Sequence, residues 1–283
     1  MVAIAGVAGS LVLAAGAQAA DPTGDWADFK RCPLSNPSTD VCVYSQVTSG
    51  SFKLGTSTVP IGDTITLQGG YELDPDTGAT TWINAEGGPT LSATPLDVPG
   101  GLLGLPDTTG WPGWLLDQFE AAVSSVNAVT ATAELAGPVQ FNLNNYFGES
   151  GTAITLPLRV KLSNPFLGNN CYIGSNSDPV LLQLTSGATS PPPPNTSISG
   201  QLGSVTVLYR GRLIKNDGFR LVDNAFRAPE ADGCGNFFTN WLLDPAVNLK
   251  QGLPSSAGKN AAIMEGNQKI GNVLNVRASI PTS

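Results

Sequence analysis

The sequence predicts a mainly β fold: an antiparallel β-sandwich or barrel-like domain with one packed α-helix and two disulfides. Three observations lead there. Apolar residues alternate with polar ones in many short runs, the two-residue period of a strand with one face in a core. Gly (33) and Pro (22) are abundant and, with Asn, Ser and Thr, separate the runs, as turns separate the strands of sandwiches and barrels. Four cysteines, an even number, suit an exported chain stapled by disulfides.

Taken in order, residues 1–19 form an uncharged, apolar, small-residue run ending in Ala17-Gln18-Ala19. This has the form of a secretory signal with its cleavage site, although no Lys or Arg precedes it. Residues 20–283 are then expected to be a single mainly-β secreted domain, with a division near residue 137 as the alternative. No later stretch approaches the roughly 20 apolar residues that span a bilayer, so no transmembrane segment is expected. Strands are expected at 41–47, 64–67, 180–184, 205–209 and 219–222. A hairpin is expected over 71–84, turning at Asp74-Pro75-Asp76-Thr77-Gly78. Val129, Ala131, Ala133 and Leu135 alternate, as do Val139, Phe141 and Leu143, and Leu274, Val276, Ala278 and Ile280. The clearest strand is 154–162, where Pro157 implies a sheet edge or a bulge. The packed helix is expected over 111–126, with Leu115, Leu116, Phe119, Ala122, Val123 and Val126 on one stripe. A second short helix fits 240–243, before Asp244-Pro245. The four prolines at 191–194 read as an exposed polyproline II loop rather than a linker.

Composition excludes several chemistries. The net charge of −8 argues against nucleic acid, whose phosphates need a basic patch, and against anionic lipid surfaces. The chain has no histidine, which removes imidazole metal sites and Ser-His-Asp or Cys-His catalysis. No cofactor fingerprint is present. Ser256-Ala257-Gly258-Lys259 matches S-x-x-K, in which a lysine activates a serine, but the glycine before the lysine spoils the helix that this mechanism needs. The Asp74 turn fails the calcium-loop pattern, because Ala79 and Ala85 occupy the required Gly and Glu positions. Glu230, Asp232 and Asp223 make the densest acidic neighbourhood for paired-carboxylate hydrolysis. Trp82, Trp111 and Trp114 are candidates for stacking on sugar rings, against the alternative of core packing.

The four cysteines allow three pairings. Cys32 and Cys42 are near in sequence, with Pro33, Asn36 and Pro37 turning between them. That leaves Cys171 with Cys234, each among loop-forming neighbours, Asn169-Asn170 before one and Gly233 and Gly235 around the other.

Several stretches are similar to those of uncharacterised secreted proteins common in actinobacteria. They are Asn170-Cys171-Tyr172-Ile173-Gly174-Ser175, Leu221-Val222-Asp223-Asn224, Gly233-Cys234-Gly235 and Leu253-Pro254-Ser255. The resemblance covers roughly residues 150–280 and implies a bacterial exported protein. It supplies no activity and no catalytic, cofactor or metal residue. The expectation from the sequence is therefore a non-catalytic extracellular or cell-envelope protein that binds a surface, a glycan or a protein partner. The alternative is a secreted hydrolase using paired carboxylates or the Ser256–Lys259 dyad.

Overall fold

In the computed structural model, which describes residues 20–101, 112–113, 128–236 and 239–282, most of the alternating runs are strands of two antiparallel sheets. In chain order the first are β1 (Val41–Leu54), β2 (Ser57–Pro60), β3 (Ile65–Leu73), β4 (Thr80–Asn84), β5 (Leu91–Ala93), β6 (Leu96–Asp97), β7 (Thr130–Leu135) and β8 (Gln140–Phe141). They are followed by β9 (Ile154–Ser163), β10 (Tyr172–Ile173), β11 (Val180–Leu184), β12 (Ser204–Leu208), β13 (Leu213–Asp223), β14 (Ala231–Asp232) and β15 (Ala261–Asn272). Helices α1 (Leu143–Phe147), α2 (Asn240–Gln251) and α3 (Val273–Ala278) lie among them.

The eight-stranded sheet runs β12-β13-β15-β1-β3-β4, with β2 beside β1 and β5 beside β3. The seven-stranded sheet runs β14-β10-β9-β7-β6, with β11 and β8 also on β9. The sheets pack face to face because each turns an apolar row inward. Val47, Leu67, Phe219, Leu221 and Met264 of the first meet Leu156, Leu158 and Leu184 of the second. Burying each such side chain contributes about 1.5–3 kcal/mol. A chain of rings bridges the sheets at one end: Tyr71 lies 5.9 Å from Phe141, and Phe141 lies 5.7 Å from Tyr146. Tyr146 is fully buried, and its hydroxyl accepts a 2.5 Å hydrogen bond from Asn216 Nδ2 on β13.

Both neighbours of β15 bulge at one point. The register jumps from Val47 to Ser49 on β1 and from Asp217 to Phe219 on β13, and in both cases the facing residue is Gly266. Such bulges bend and twist a sheet. A second, smaller core lies on the outer face of this sheet. The 3-10 helix Gly24–Phe29 and α3 bury Trp26, Phe29, Leu213, Val273 and Val276 there, beside Cys32 and Cys42.

The disulfides are Cys32–Cys42 and Cys171–Cys234, as the spacing predicts. The hairpin over 71–84 pairs β3 with β4 in antiparallel register. Asp74 closes its turn by accepting from the backbone N–H of Asp76 and Thr77, which supports a turn rather than a calcium loop. The proline run is exposed and is followed at once by Asn195, whose side chain donates to the carbonyls of Asn224 and Asn260, so it is a docked loop. The expected helix over 111–126 lies outside the described residues, apart from Pro112 and Gly113.

Four local expectations need correction. Leu143 does not extend a strand: Asn142 caps α1 by accepting from the Asn145 N–H, so the alternation stops at Phe141. The alternating run from Leu274 is helical, α3, capped by Asn272. Val273 and Val276 are buried one turn apart while Leu274 is 66% exposed, which is a helical pattern and not an alternating one. Helix α2 runs through Pro245 to Gln251 and ends only at Gly252, a left-handed cap (φ 64°). Contacts beyond the proline hold it, since Val247 is buried and the Asn248 side chain exchanges hydrogen bonds with the backbone of Ala231. Pro157 lies in a central strand, not at an edge. On one side β9 changes partner at that point from β7, which ends at Leu135, to β8, which begins at Gln140. Pro157 offers its carbonyl to the Ala136 N–H in that gap. Its missing donor faces the same gap, because the N–H and C=O of a paired residue share one side.

Candidate functional site

The outer face of β9 organises the surface. Thr155, Arg159 and Lys161 point away from the core, and the strand register sets their neighbours. Gln140, Thr155 and Gln183 stand side by side on β8, β9 and β11. Further along, Thr132, Lys161, Tyr172 and Asp232 form a row across β7, β9, β10 and β14. Each row lies in a groove or beside one.

The charged groove has a volume of about 780 Å³, and its walls include Arg159, Tyr172, Asp178, Arg227, Glu230 and Asp232. The Cys171–Cys234 disulfide fixes its floor, since Tyr172 follows one cysteine and Asp232 precedes the other by two residues. The Arg159 guanidinium lies 4.6 Å from the Tyr172 ring centre, a cation–π contact. Arg159 also donates from Nε and Nη2 to Glu134 Oε2, at 3.0 and 2.8 Å. Arg227 forks onto both oxygens of Asp178. Both arginines are thus neutralised locally, and the groove keeps the excess negative charge of Glu230 and Asp232.

Those two carboxylates are the acidic pair singled out from the sequence, and the structure brings them into one groove. They are two residues apart on one extended segment, either side of buried Ala231. Asp232 lies on β14 and Glu230 just before it, and both are exposed. Asp223 is elsewhere. It is 3% exposed, and it accepts from the backbone N–H of Gln183 (2.6 Å) and of Ala225 (2.9 Å). It thereby ties β11 to β13, next to the bridge between Thr185 and Val222 that joins the two sheets.

Burial pushes the Asp223 carboxyl above the ordinary carboxylate range, against the pull of the Ala225 and Gln183 donors. A raised folded-state pKa favours the protonated form, so its contribution to stability is full below about pH 4 and is lost as pH rises through the raised value. Asp223→Asn should remove that part of the pH dependence. It should also cost about 1–3 kcal/mol, since the two backbone donors reach different carboxylate oxygens and the NH2 that replaces one of these oxygens cannot accept. Urea unfolding of both proteins across the acidic range measures the two effects together. Equal midpoints for the two proteins at every pH would show that the tie is not a stabilising one.

The neutral groove has a volume of about 670 Å³ and opens between β4 and the β8–α1 corner. Its walls carry Thr80, Thr81, Trp82, Gln140, Asn142, Asn145, Thr152, Thr155 and Gln183, and no charged residue lines it among the described residues. Several walls are fixed in place. Thr80 donates to the Phe141 carbonyl across the mouth, and Asn145 Nδ2 donates to Thr152 O at 2.8 Å. The Trp82 indole lies against the backbone of Gly69, where an added Cβ would sit 2.8 Å from Cζ2. Trp82 Nε1 is buried without a hydrogen-bond partner among the described residues, a donor that costs stability until something accepts from it.

Of the residues marked by the sequence, Trp82 therefore packs half-buried against the main core, the alternative weighed for it, and also lines the neutral groove, and Glu230 and Asp232 line the charged one. Trp111 and Trp114 lie outside the described residues. Ser256 and Lys259 are exposed in a turn, where the Lys259 N–H donates to Ser256 O, and neither lines either groove. Sequence reasoning missed Tyr172, Gln140, Thr155 and Gln183. The alternation in 154–162 puts Thr155 and Arg159 outward, but which strands stand beside them is set by topology. Comparison of the chain with protein-family models, with curated proteins and with solved structures returns no match in any of the three.

Proposed function

We propose that the chain is an exported, non-catalytic binding protein whose neutral groove takes an uncharged glycan. The observation that carries this is the make-up of that groove: hydroxyl and amide side chains from five elements line it together with one tryptophan, with no formal charge among the described residues. Sugars offer many hydroxyls and apolar C–H faces, which amides, hydroxyls and an indole match without the desolvation cost of burying an ion. Two disulfides fit an oxidising compartment. Among the described residues no helix is long and apolar enough to cross a membrane.

Isothermal titration against neutral and anionic cell-wall polysaccharides tests the binding claim. A neutral polymer should bind, and Trp82→Ala should weaken it at least tenfold, about 1.4 kcal/mol or more. Gln140→Ala, on an exposed side chain, should weaken it several-fold with no change in melting temperature. Binding confined to anionic polymers, or unaffected by both substitutions, would overturn this reading. Export has its own test. N-terminal sequencing of protein from the medium should begin at Ala20, and an intact Met1 on exported protein would refute cleavage there.

A further inference from the structure

Among the described residues the eight-stranded sheet ends at β12, which pairs with β13 alone. We propose that β12 is the interface of a two-fold dimer, in which a second copy of this chain adds its own β12 antiparallel, strand to strand. The two ends of the seven-stranded sheet, β14 and β6, are two residues each and too short to act as templates. At the other end of the eight-stranded sheet, β4 faces the β8 corner, with Thr80 bonded across to Phe141. β12 is different: residues 204–207 are all exposed, and the strand holds no charge and no proline, the usual guards of a sheet edge.

Three features choose a second copy as the occupant. First, the strand is self-complementary. Val205-Thr206-Val207 reads the same in both directions, so a two-fold axis at Thr206 sets each Val205 opposite a Val207 and Thr206 opposite Thr206. Such β-branched and Thr–Thr pairs are favourable across strands. Second, Val205 and Val207 share a face with Ile214 and Asn216 of β13, which is the face turned toward the sandwich core. They project past the opposing sheet, with Val207 59% exposed, and the pairing would bring the four valines of two copies together. Third, the charges are arranged for antiparallel addition. Asp217 lies opposite Ser204 at one end of β12, Arg210 and Arg212 follow Leu208 at the other, and none of the three forms an ion pair among the described residues. The two-fold axis carries the acidic end of each copy to the basic end of the other. The strand end is also held in place: the Tyr209 hydroxyl donates to Asp25 at 2.6 Å, and its ring lies 5.6 Å from that of Trp26.

Sedimentation velocity from low to high micromolar protein, together with cysteine cross-linking, tests the interface and its register. The chain's four cysteines are all in disulfides, so one added cysteine is the sole free thiol. Thr206→Cys should form a disulfide-linked dimer under mild oxidation, and Ser204→Cys, whose opposite number is Leu208, should not. Val207→Lys should weaken dimerisation about tenfold or more, with glycan titration unchanged and with the same melting temperature as wild type at concentrations where both are monomeric. The proposal is overturned by a wild type that stays monomeric throughout, by equal cross-linking of the two cysteine variants, or by a Val207→Lys protein that dimerises like wild type. Co-sedimentation of a different protein in place of a second copy would also overturn it. None of these readouts depends on glycan binding.

Discussion

Replacing both Cys171 and Cys234 with alanine should lower the unfolding free energy by about 4 kcal/mol in the chain-entropy account of cross-links. The bridge closes a 63-residue separation, whereas Cys32–Cys42 closes 10 and should contribute about 3 kcal/mol or less. For a domain of this size the larger loss corresponds to a fall in melting temperature of roughly 8–16 °C. Both cysteines are fully buried, so the variant also loses packing at the junction of β10 and β14. That junction sets Tyr172 beside Asp232, so the charged groove should loosen while the neutral one, at the other end of β9, should not. Calorimetry of the two double-alanine proteins makes the comparison. A greater loss from removing the short bridge would show that loop length does not govern stability here.

Gly266→Ala should do comparable damage for a different reason, and we expect a cost of about 3 kcal/mol or more, the upper range for overpacking. A Cβ at this position would lie 1.9 Å from the Gln46 carbonyl oxygen and 2.8 Å from Val47 Cα. Both are main-chain atoms of a central strand, so no rotamer change relieves the clash. The strands on either side already bulge at this point, and the sheet has no spare register to absorb a further shift. Chemical denaturation measures the loss, and a stability within a few tenths of a kcal/mol of wild type would show that β1 can yield.

How far the sequence could be read follows from which forces are local. Strand alternation is local, and it located β1, β9, β11 and β13 and placed Thr155 and Arg159 outward. Disulfide pairing was legible because one pair is close in sequence and fixes the other. The run from Leu274 misled because its buried pair is Val273 and Val276, three residues apart, of which only Val276 belongs to the alternating set, and the Asn272 cap starts a helix there. Pro157 misled because an edge is a property of one residue's neighbours, and here the neighbour changes in mid-strand. The grooves were the least legible. Trp82 was marked by its side chain alone, whereas Gln140, Thr155 and Gln183 are ordinary residues until three separate strands set them in one row.

Pro157 has a further consequence when the chain is not folded. Residues 154–162 would otherwise be nine strand-forming residues with five large aliphatic side chains, the kind of segment that stacks into cross-β aggregates. A proline in its middle cannot donate to a neighbouring chain on either side of a growing stack, so it interrupts the ladder at every layer. In the native sheet the same residue faces the one point along β9 where no donor is wanted. The gap between β7 and β8 therefore lets the fold keep a guard against self-association of this strand without losing a native hydrogen bond.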